Sequence, residues 1–228
     1  MQDLVFAPTP TTLLPVSGTA AQFPVRRVYC IGRNYAAHAV EMGHDPDREP
    51  PFFFQKNSDN LTITGQFPYP AMTNDVHHEV EVAVALATGG TDIQTETALS
   101  HVFGYALALD MTRRDLQGQA KKMGRPWEVG KAFEQSAPIA PLRPTADIGH
   151  PTNGELSLSV NSTVRQQGDL SQMIWKVPEI ISYLSAYFTL AAGDVILTGT
   201  PAGVGPVARG DRLEAAHPQL GTLTVDVV

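Results

Sequence analysis

Glycine and proline punctuate this chain more than any other feature: 19 glycines and 18 prolines stand among 228 residues, above the roughly 12% share of average usage. Proline lacks a backbone N–H and glycine loses the most freedom on ordering, so neither suits a helix interior. A chain broken this often predicts many short strands joined by turns rather than a helical bundle. The expected class is α+β, mainly β, with a few short helices. Hydrophobic residues at 43% and charged residues at 17% supply a real core and exclude a disordered chain.

The charge balance is acidic: 16 Lys+Arg against 23 Asp+Glu give a net charge of -7. Nucleic-acid binding needs a basic face, so no nucleic-acid partner is expected. A small anionic ligand stays compatible, because a local patch can oppose the total. Cys30 is the single cysteine, which excludes an internal disulfide and a cysteine zinc cluster. Its apolar setting predicts a buried thiol. No apolar run approaches the ~18 residues of a membrane span. Residues 1–18 lack the basic start and apolar stretch of a signal peptide. The expectation is a soluble, cytoplasmic protein with no membrane partner.

Residues 1–24 carry Pro8, Pro10, Pro15 and Pro24 and read as an extended arm packing on a body formed by residues 25–228. Residues 27–31 and 51–55 read as short strands, residues 34–42 as a short helix, and residues 43–47 as a polar loop. Two further strands matter most. Over residues 79–85, Val80, Val82 and Val84 share one face, while Glu79, Glu81, Ala83 and Ala85 share the other. Over residues 104–110, Tyr105, Leu107 and Leu109 alternate with Gly104, Ala106, Ala108 and Asp110. The small residues beside the acids leave room for an ion and a ligand. Thr112 and Asp115 resemble a capping pair opening a helix to Met123. Residues 178–188 have helical spacing, and residues 195–197 and 223–227 return to strands.

Four constellations could carry chemistry. Residues i and i+2 of a strand point the same way, so Glu79 and Glu81 converge, and Asp110 supplies a third carboxylate. Like charges so close need a cation or a raised pKa, and an all-oxygen set suits a hard divalent ion. An edge strand with a polar face would carry the same pattern. His38 and Glu41 are neighbours at i, i+3 on a helix, the geometry of a carboxylate-oriented base; two solvated surface residues would fit as well. Arg114, Gln117 and Lys121 share a helical face, with Lys131 further on. They can hold a carboxylate or an oxyanion, although an ordinary solvated face explains Lys121 better. Residues 198–205, Thr-Gly-Thr-Pro-Ala-Gly-Val-Gly, lack the end of a P-loop and read as a tight turn offering N–H and hydroxyl groups. No G-x-S-x-G elbow and no H-E-x-x-H pair is present.

Taken in order, these segments resemble the fumarylacetoacetate hydrolase family. The carriers are Gly32-Arg33-Asn34-Tyr35-Ala36-Ala37-His38 with Glu41, then His77-His78-Glu79-Val80-Glu81. They continue with Gly104-Tyr105 through Asp110-Met111-Thr112, Arg114 with Gln117, Pro126-Trp127 with Lys131, and Ile196 through Gly205. The resemblance spans roughly residues 25–228. It implies a mixed β-roll of distorted, barrel-like sheets, a single catalytic domain and a homodimer. It implies that Glu79, Glu81 and Asp110 hold Mg2+ (or Mn2+). His38 and Glu41 would activate water on a lid, with Lys131 as a further catalytic residue stabilising the oxyanion. Arg33, Tyr35, Lys56, Arg114, Gln117 and Thr200 would contact substrate. Residues 52–57, Phe-Phe-Phe-Gln-Lys-Asn, are similar to the matching segment of bacterial fumarylpyruvate hydrolases of gentisate-type aromatic degradation. Many relatives have Lys-Pro where this chain has Lys56-Asn57. The implied substrate is a small anionic 2,4-dioxo acid, with fumarylpyruvate first. Acylpyruvate hydrolysis, oxaloacetate or β-keto acid decarboxylation, isomerisation, and non-catalytic binding of a keto acid or sugar acid stand as alternatives on the same scaffold.

Overall fold

The computed structural model describes residues 4–36 and 50–228. His38, Glu41 and the polar loop expected at residues 43–47 lie outside the described residues.

Two sheets dominate. The larger has six strands in the order Arg143–Pro144, Val102–Leu109, Val80–Leu86, Val195–Leu197, Val28–Gly32 and Phe52–Lys56. It is mixed, since Val195–Leu197 runs antiparallel to Val80–Leu86 and parallel to Val28–Gly32. The second has five strands: Thr163–Asp169, Glu155–Val160, Arg212–His217, Gly221–Val227 and Gln66–Phe67. Neither closes into a barrel among the described residues. The architecture is mainly β with few short helices, as the sequence predicts, in the mixed roll that the resemblance implies.

The period-2 pattern decides what each face does. Val80, Val82, Val84, Tyr105, Leu107 and Leu109 enter one core, where Leu156, Leu158, Leu213 and Val225 of the five-stranded sheet meet them. The helix Val177–Tyr187 adds Ile180, Ile181 and Leu184 to that core. Burying each such aliphatic side chain stabilises the fold by about 1.5–3 kcal/mol. The opposite face of the six-stranded sheet is small. Ala83, Ala85, Ala106 and Ala108 pack there with Cys30, Val195 and Leu197. Leu14, Val16 and Phe23 of an N-terminal hairpin cover them, its strands Leu13–Pro15 and Gln22–Pro24 pairing antiparallel. Most of this alanine face therefore admits a hairpin rather than a ligand. The room for an ion lies only at the strand ends, where the acids are.

Local signals moved in two places. The helix runs Arg114–Met123, and its N-cap is Arg113, which makes no side-chain capping bond. Thr112 pairs with His77 in a short ladder and donates its hydroxyl to the Asp110 carbonyl. Asp115 accepts from its neighbour Leu116 and from Thr73 and Asn74 of an adjoining loop. The capping pair read from sequence is thus replaced by tertiary partners. The Glu155–Val160 and Thr163–Asp169 hairpin was not anticipated. Its only local signal is the alternation of Leu156, Leu158 and Val160.

Candidate active site

The acids sit where the central strands stop. Glu79 falls between the strands Val76–His78 and Val80–Leu86, and Asp110 follows directly on Val102–Leu109. The Asp110 amide donates to the Glu79 carbonyl at 2.8 Å, closing the two strand ends on each other. Glu79, Glu81 and Asp110 each offer a carboxylate oxygen within 4.8 Å of the others, and all three are buried. Val80–Leu86 lies in the middle of its sheet, so the edge-strand alternative does not apply.

Cations surround the acids. Lys131 Nζ donates to Glu79 Oε2 at 2.9 Å, Asp110 Oδ2 at 2.6 Å and Thr112 Oγ1 at 2.7 Å. Those three bonds use all three ammonium protons. Burial disfavours the charged Lys131, but Asp110 and Glu79 outweigh it and hold its pKa above the ordinary lysine value. Arg114 forks between Glu79 Oε1 and Gln117 Oε1, the latter at 2.7 Å. Gly130 lets the short helix Glu128–Lys131 approach Arg114–Met123: a Cβ there would stand 3.0 Å from the Gln117 backbone nitrogen. Glu81 accepts from the Gly199 amide at 2.7 Å. Its pKa is pushed well above the carboxylate range, first by burial and then by Asp110 and Glu79. Removing one charge from a buried set like this typically costs about 3–5 kcal/mol, because its partner is left uncompensated.

This donor set fits a divalent cation. It is all oxygen, and three buried carboxylates converge with an oxygen of each within 4.8 Å of the others. Glu79, Glu81 and Asp110 are the residues that would hold the ion, and an arriving cation would displace the proton that crowding keeps on Glu81.

A pocket with a cavity volume of about 40 Å³ lies over the acids. Arg33, Arg114, Gln117, Lys121, Lys131 and Thr200 line it together with the three acids. Two expected substrate contacts are placed elsewhere. Lys56 is buried beneath the site, 2.9 Å from Asp110 Oδ1, and donates to Ser136 Oγ at 2.9 Å and to the Lys131 and Met111 carbonyls. It supports the acids from behind, because its strand turns that side of Phe52–Lys56 toward the core. Tyr35 is buried beside Met173, outside the pocket wall, and its hydroxyl has no hydrogen-bond partner among the described residues. The turn after Val195–Leu197 presents Thr200 to the pocket but spends the Gly199 amide on Glu81.

Sequence reasoning set Lys121 aside as a solvated position and gave Trp127 no place in the pocket. Lys121 lines the pocket with its ammonium 4.8 Å from the Trp127 ring centroid, and Trp127 forms wall beside it. Burial, then Arg114 and Arg33, lower the Lys121 pKa to about 8. The signal existed in the i, i+4 spacing from Gln117, but no local pattern shows which way a helix face turns.

Residues 27–228 match the family described as fumarylacetoacetate (FAA) hydrolase C-terminal. Among solved structures, fumarylpyruvate hydrolase from Pseudomonas aeruginosa in complex with Mn2+ and pyruvate superposes with a TM-score of 0.97 at 52% identity, covering 99% of each chain. An oxaloacetate tautomerase of Escherichia coli (strain K12) is 44% identical and covers 86% of this chain and 90% of its own. A mitochondrial oxaloacetate decarboxylase of Dictyostelium discoideum is 42% identical and covers 86% of this chain and 91% of its own. The ordered motifs, the carboxylate triad and these matches agree, and the chain belongs to the fumarylacetoacetate hydrolase family.

Proposed function

We propose that this enzyme is a Mg2+- or Mn2+-dependent hydrolase that cleaves fumarylpyruvate into fumarate and pyruvate. One observation carries the reading: a single pocket joins a three-carboxylate ion site to a wall of cations, Arg33, Arg114 and Lys121. Around the acids, Glu79, Glu81 and Asp110 are offset by Lys56, Lys131 and Arg114. A dication then leaves the site positive, and Lys121 adds to that. A ligand with a carboxylate at each end balances this arrangement. The fumarylpyruvate hydrolase at 52% identity supports the choice.

When bound, the cation supplies Lewis acidity toward the 2-oxo carboxylate end of the substrate. The chain's own groups do the rest. His38, oriented by Glu41, takes a proton from water, whose oxygen attacks the carbonyl carbon of the fumaryl half. Gln117 gives its carbonyl oxygen to Arg114, which leaves its amide N–H2 to donate to the developing oxyanion. Lys131, with its protons given to Glu79, Asp110 and Thr112, holds the acids in register rather than meeting the oxyanion directly. The C–C bond to the pyruvyl methylene breaks, its electron pair passes to the pyruvyl half, and the proton His38 took from water is returned to that carbon to complete pyruvate. Fumarate keeps the water oxygen.

A second reading has its own support: the curated relatives at 44% and 42% identity act on oxaloacetate, also a dianion. Steady-state assays with fumarylpyruvate, acetylpyruvate and oxaloacetate, each with and without Mg2+ or Mn2+, separate the two. Metal-dependent turnover with the highest kcat/KM for fumarylpyruvate is expected. Activity confined to oxaloacetate would move the assignment to tautomerase or decarboxylase, and no turnover of any would favour a binder.

A further inference from the structure

We infer that Gln166 is a positioning residue: it turns the Thr200 hydroxyl proton into the pocket and locks Thr200 to the strand that carries the acids. Gln166 belongs to the five-stranded sheet, on Thr163–Asp169, where its neighbours Arg165 and Gln167 are exposed. It alone in that strand is fully buried. A buried glutamine must place four hydrogen-bonding positions, and this one fills them all. Its Oε1 accepts from the Val80 amide at 3.0 Å and meets His78 Nδ1 at 2.9 Å. Its Nε2 donates to the Pro201 carbonyl at 2.9 Å and to Thr200 Oγ1 at 2.8 Å.

The polarity of this network is forced. A backbone N–H only donates and a carbonyl only accepts. Reversing the amide would set N–H2 against the Val80 N–H and oxygen against the Pro201 carbonyl, so two backbone groups fix it. His78 must then carry its proton on Nδ1. The second Nε2 proton goes to Thr200 Oγ1, which receives one hydrogen bond and keeps its own proton to give. Thr200 lines the pocket, so that proton faces the ligand. Val80 stands between Glu79 and Glu81. The same side chain therefore sets the distance between the acid pair and the hydroxyl donor. An ionised glutamate at this position could still accept from Val80 and His78. It would have no proton for Thr200, which would turn its hydroxyl toward the new carboxylate and away from the pocket.

The inference rests on the reading that Thr200 donates to the substrate, and the test separates the two. Gln166→Glu, Thr200→Val and the double variant are measured as Mn2+-loaded enzymes with fumarylpyruvate, alongside direct Mn2+ titration. Thr200→Val is expected to lower kcat/KM by roughly 100-fold, the scale of one lost oxyanion donor. Gln166→Glu at pH 8 should lose a similar factor, and the double variant should lose no more than either single one. Mn2+ affinity should stay within about threefold throughout, which a merely structural lesion would not preserve. An unimpaired Thr200→Val removes the donor role of Thr200, and with it this inference, while leaving wild-type turnover to speak for the hydrolase. Impaired Thr200→Val with unimpaired Gln166→Glu, or losses that multiply in the double variant, overturns the positioning role alone. If Gln166→Glu does not fold, neutron diffraction from wild-type crystals decides the point. A Thr200 hydroxyl deuteron toward the pocket supports the inference, and one toward Gln166 overturns it.

Discussion

Lys121 has the sequence setting of a solvated helix position, yet its ammonium lies over Trp127 in the pocket wall. Burial and two nearby guanidinium groups bring its pKa to about 8, so its charge changes within the working range. Below that pH the ammonium is charged and attracts a distal carboxylate; above it the attraction is lost. The expected outcome is a fall in kcat/KM for fumarylpyruvate relative to acetylpyruvate as pH rises through about 8, since only the former has the second carboxylate. The ratio cancels limbs shared by both substrates. Lys121→Arg keeps its charge and should flatten the profile. A ratio constant from pH 6.5 to 9.5 in the parent enzyme would remove Lys121 from substrate recognition. At this scale the acids were legible, because Glu79 and Glu81 sit two apart on an alternating strand. Lys56 was expected to contact substrate; its direction, into the core and onto Asp110, depends on what the neighbouring strands bring beneath it.

The element that sets the pocket floor is the turn leaving Val195–Leu197. Gly199 adopts φ +94°, and a Cβ there would lie 2.8 Å from Asn34 Cβ and 3.1 Å from the Ile31 carbonyl oxygen. Asn34 is itself fixed, donating to the Thr198 and Trp175 carbonyls and accepting from the Trp175 amide. Neither side can yield. Gly199→Ala should therefore cost about 1–3 kcal/mol of folding stability, from backbone strain and overpacking together, read as a lower urea midpoint with unchanged slope. An unaltered midpoint would show that the turn relaxes freely. Elements with a strong period were readable in advance, including Val80–Leu86, Val102–Leu109 and Val177–Tyr187. The cap read at Thr112 and Asp115 does not form, because Thr112 accepts from Lys131 and Asp115 faces another loop. Partners distant in sequence outcompeted the local cap.

For the whole molecule, the net charge of -7 hides a site in which three acids and three bases nearly cancel. Adding a dication should stabilise the folded state by mass action, since the unfolded chain presents no assembled triad. At a free concentration of 100 times Kd the gain is about 2.7 kcal/mol, roughly 5–10 °C in Tm for a domain of this size. Mn2+ or Mg2+ should raise Tm by that order in the parent protein. Glu79→Gln combined with Glu81→Gln should abolish both the shift and metal-dependent turnover. A full shift in that variant would place the ion elsewhere.

The amino-acid sequence by itself determined the class of fold, the strands that carry the acids, and the ordered motifs that mark the family. These follow from period-2 spacing, turn residues and residue identity, all readable within a few positions along the chain. Only the tertiary structure decided that the acid strand is central, that most of the alanine face receives the N-terminal hairpin, that Lys56 lies below the site and Lys121 beside it, and that Gln166 polarises Thr200. A buried polar group must find its partners through space. Gln166 finds Val80 86 residues away and Thr200 34 residues away. Which groups meet across such separations is set by how two sheets pack, and no local pattern records it.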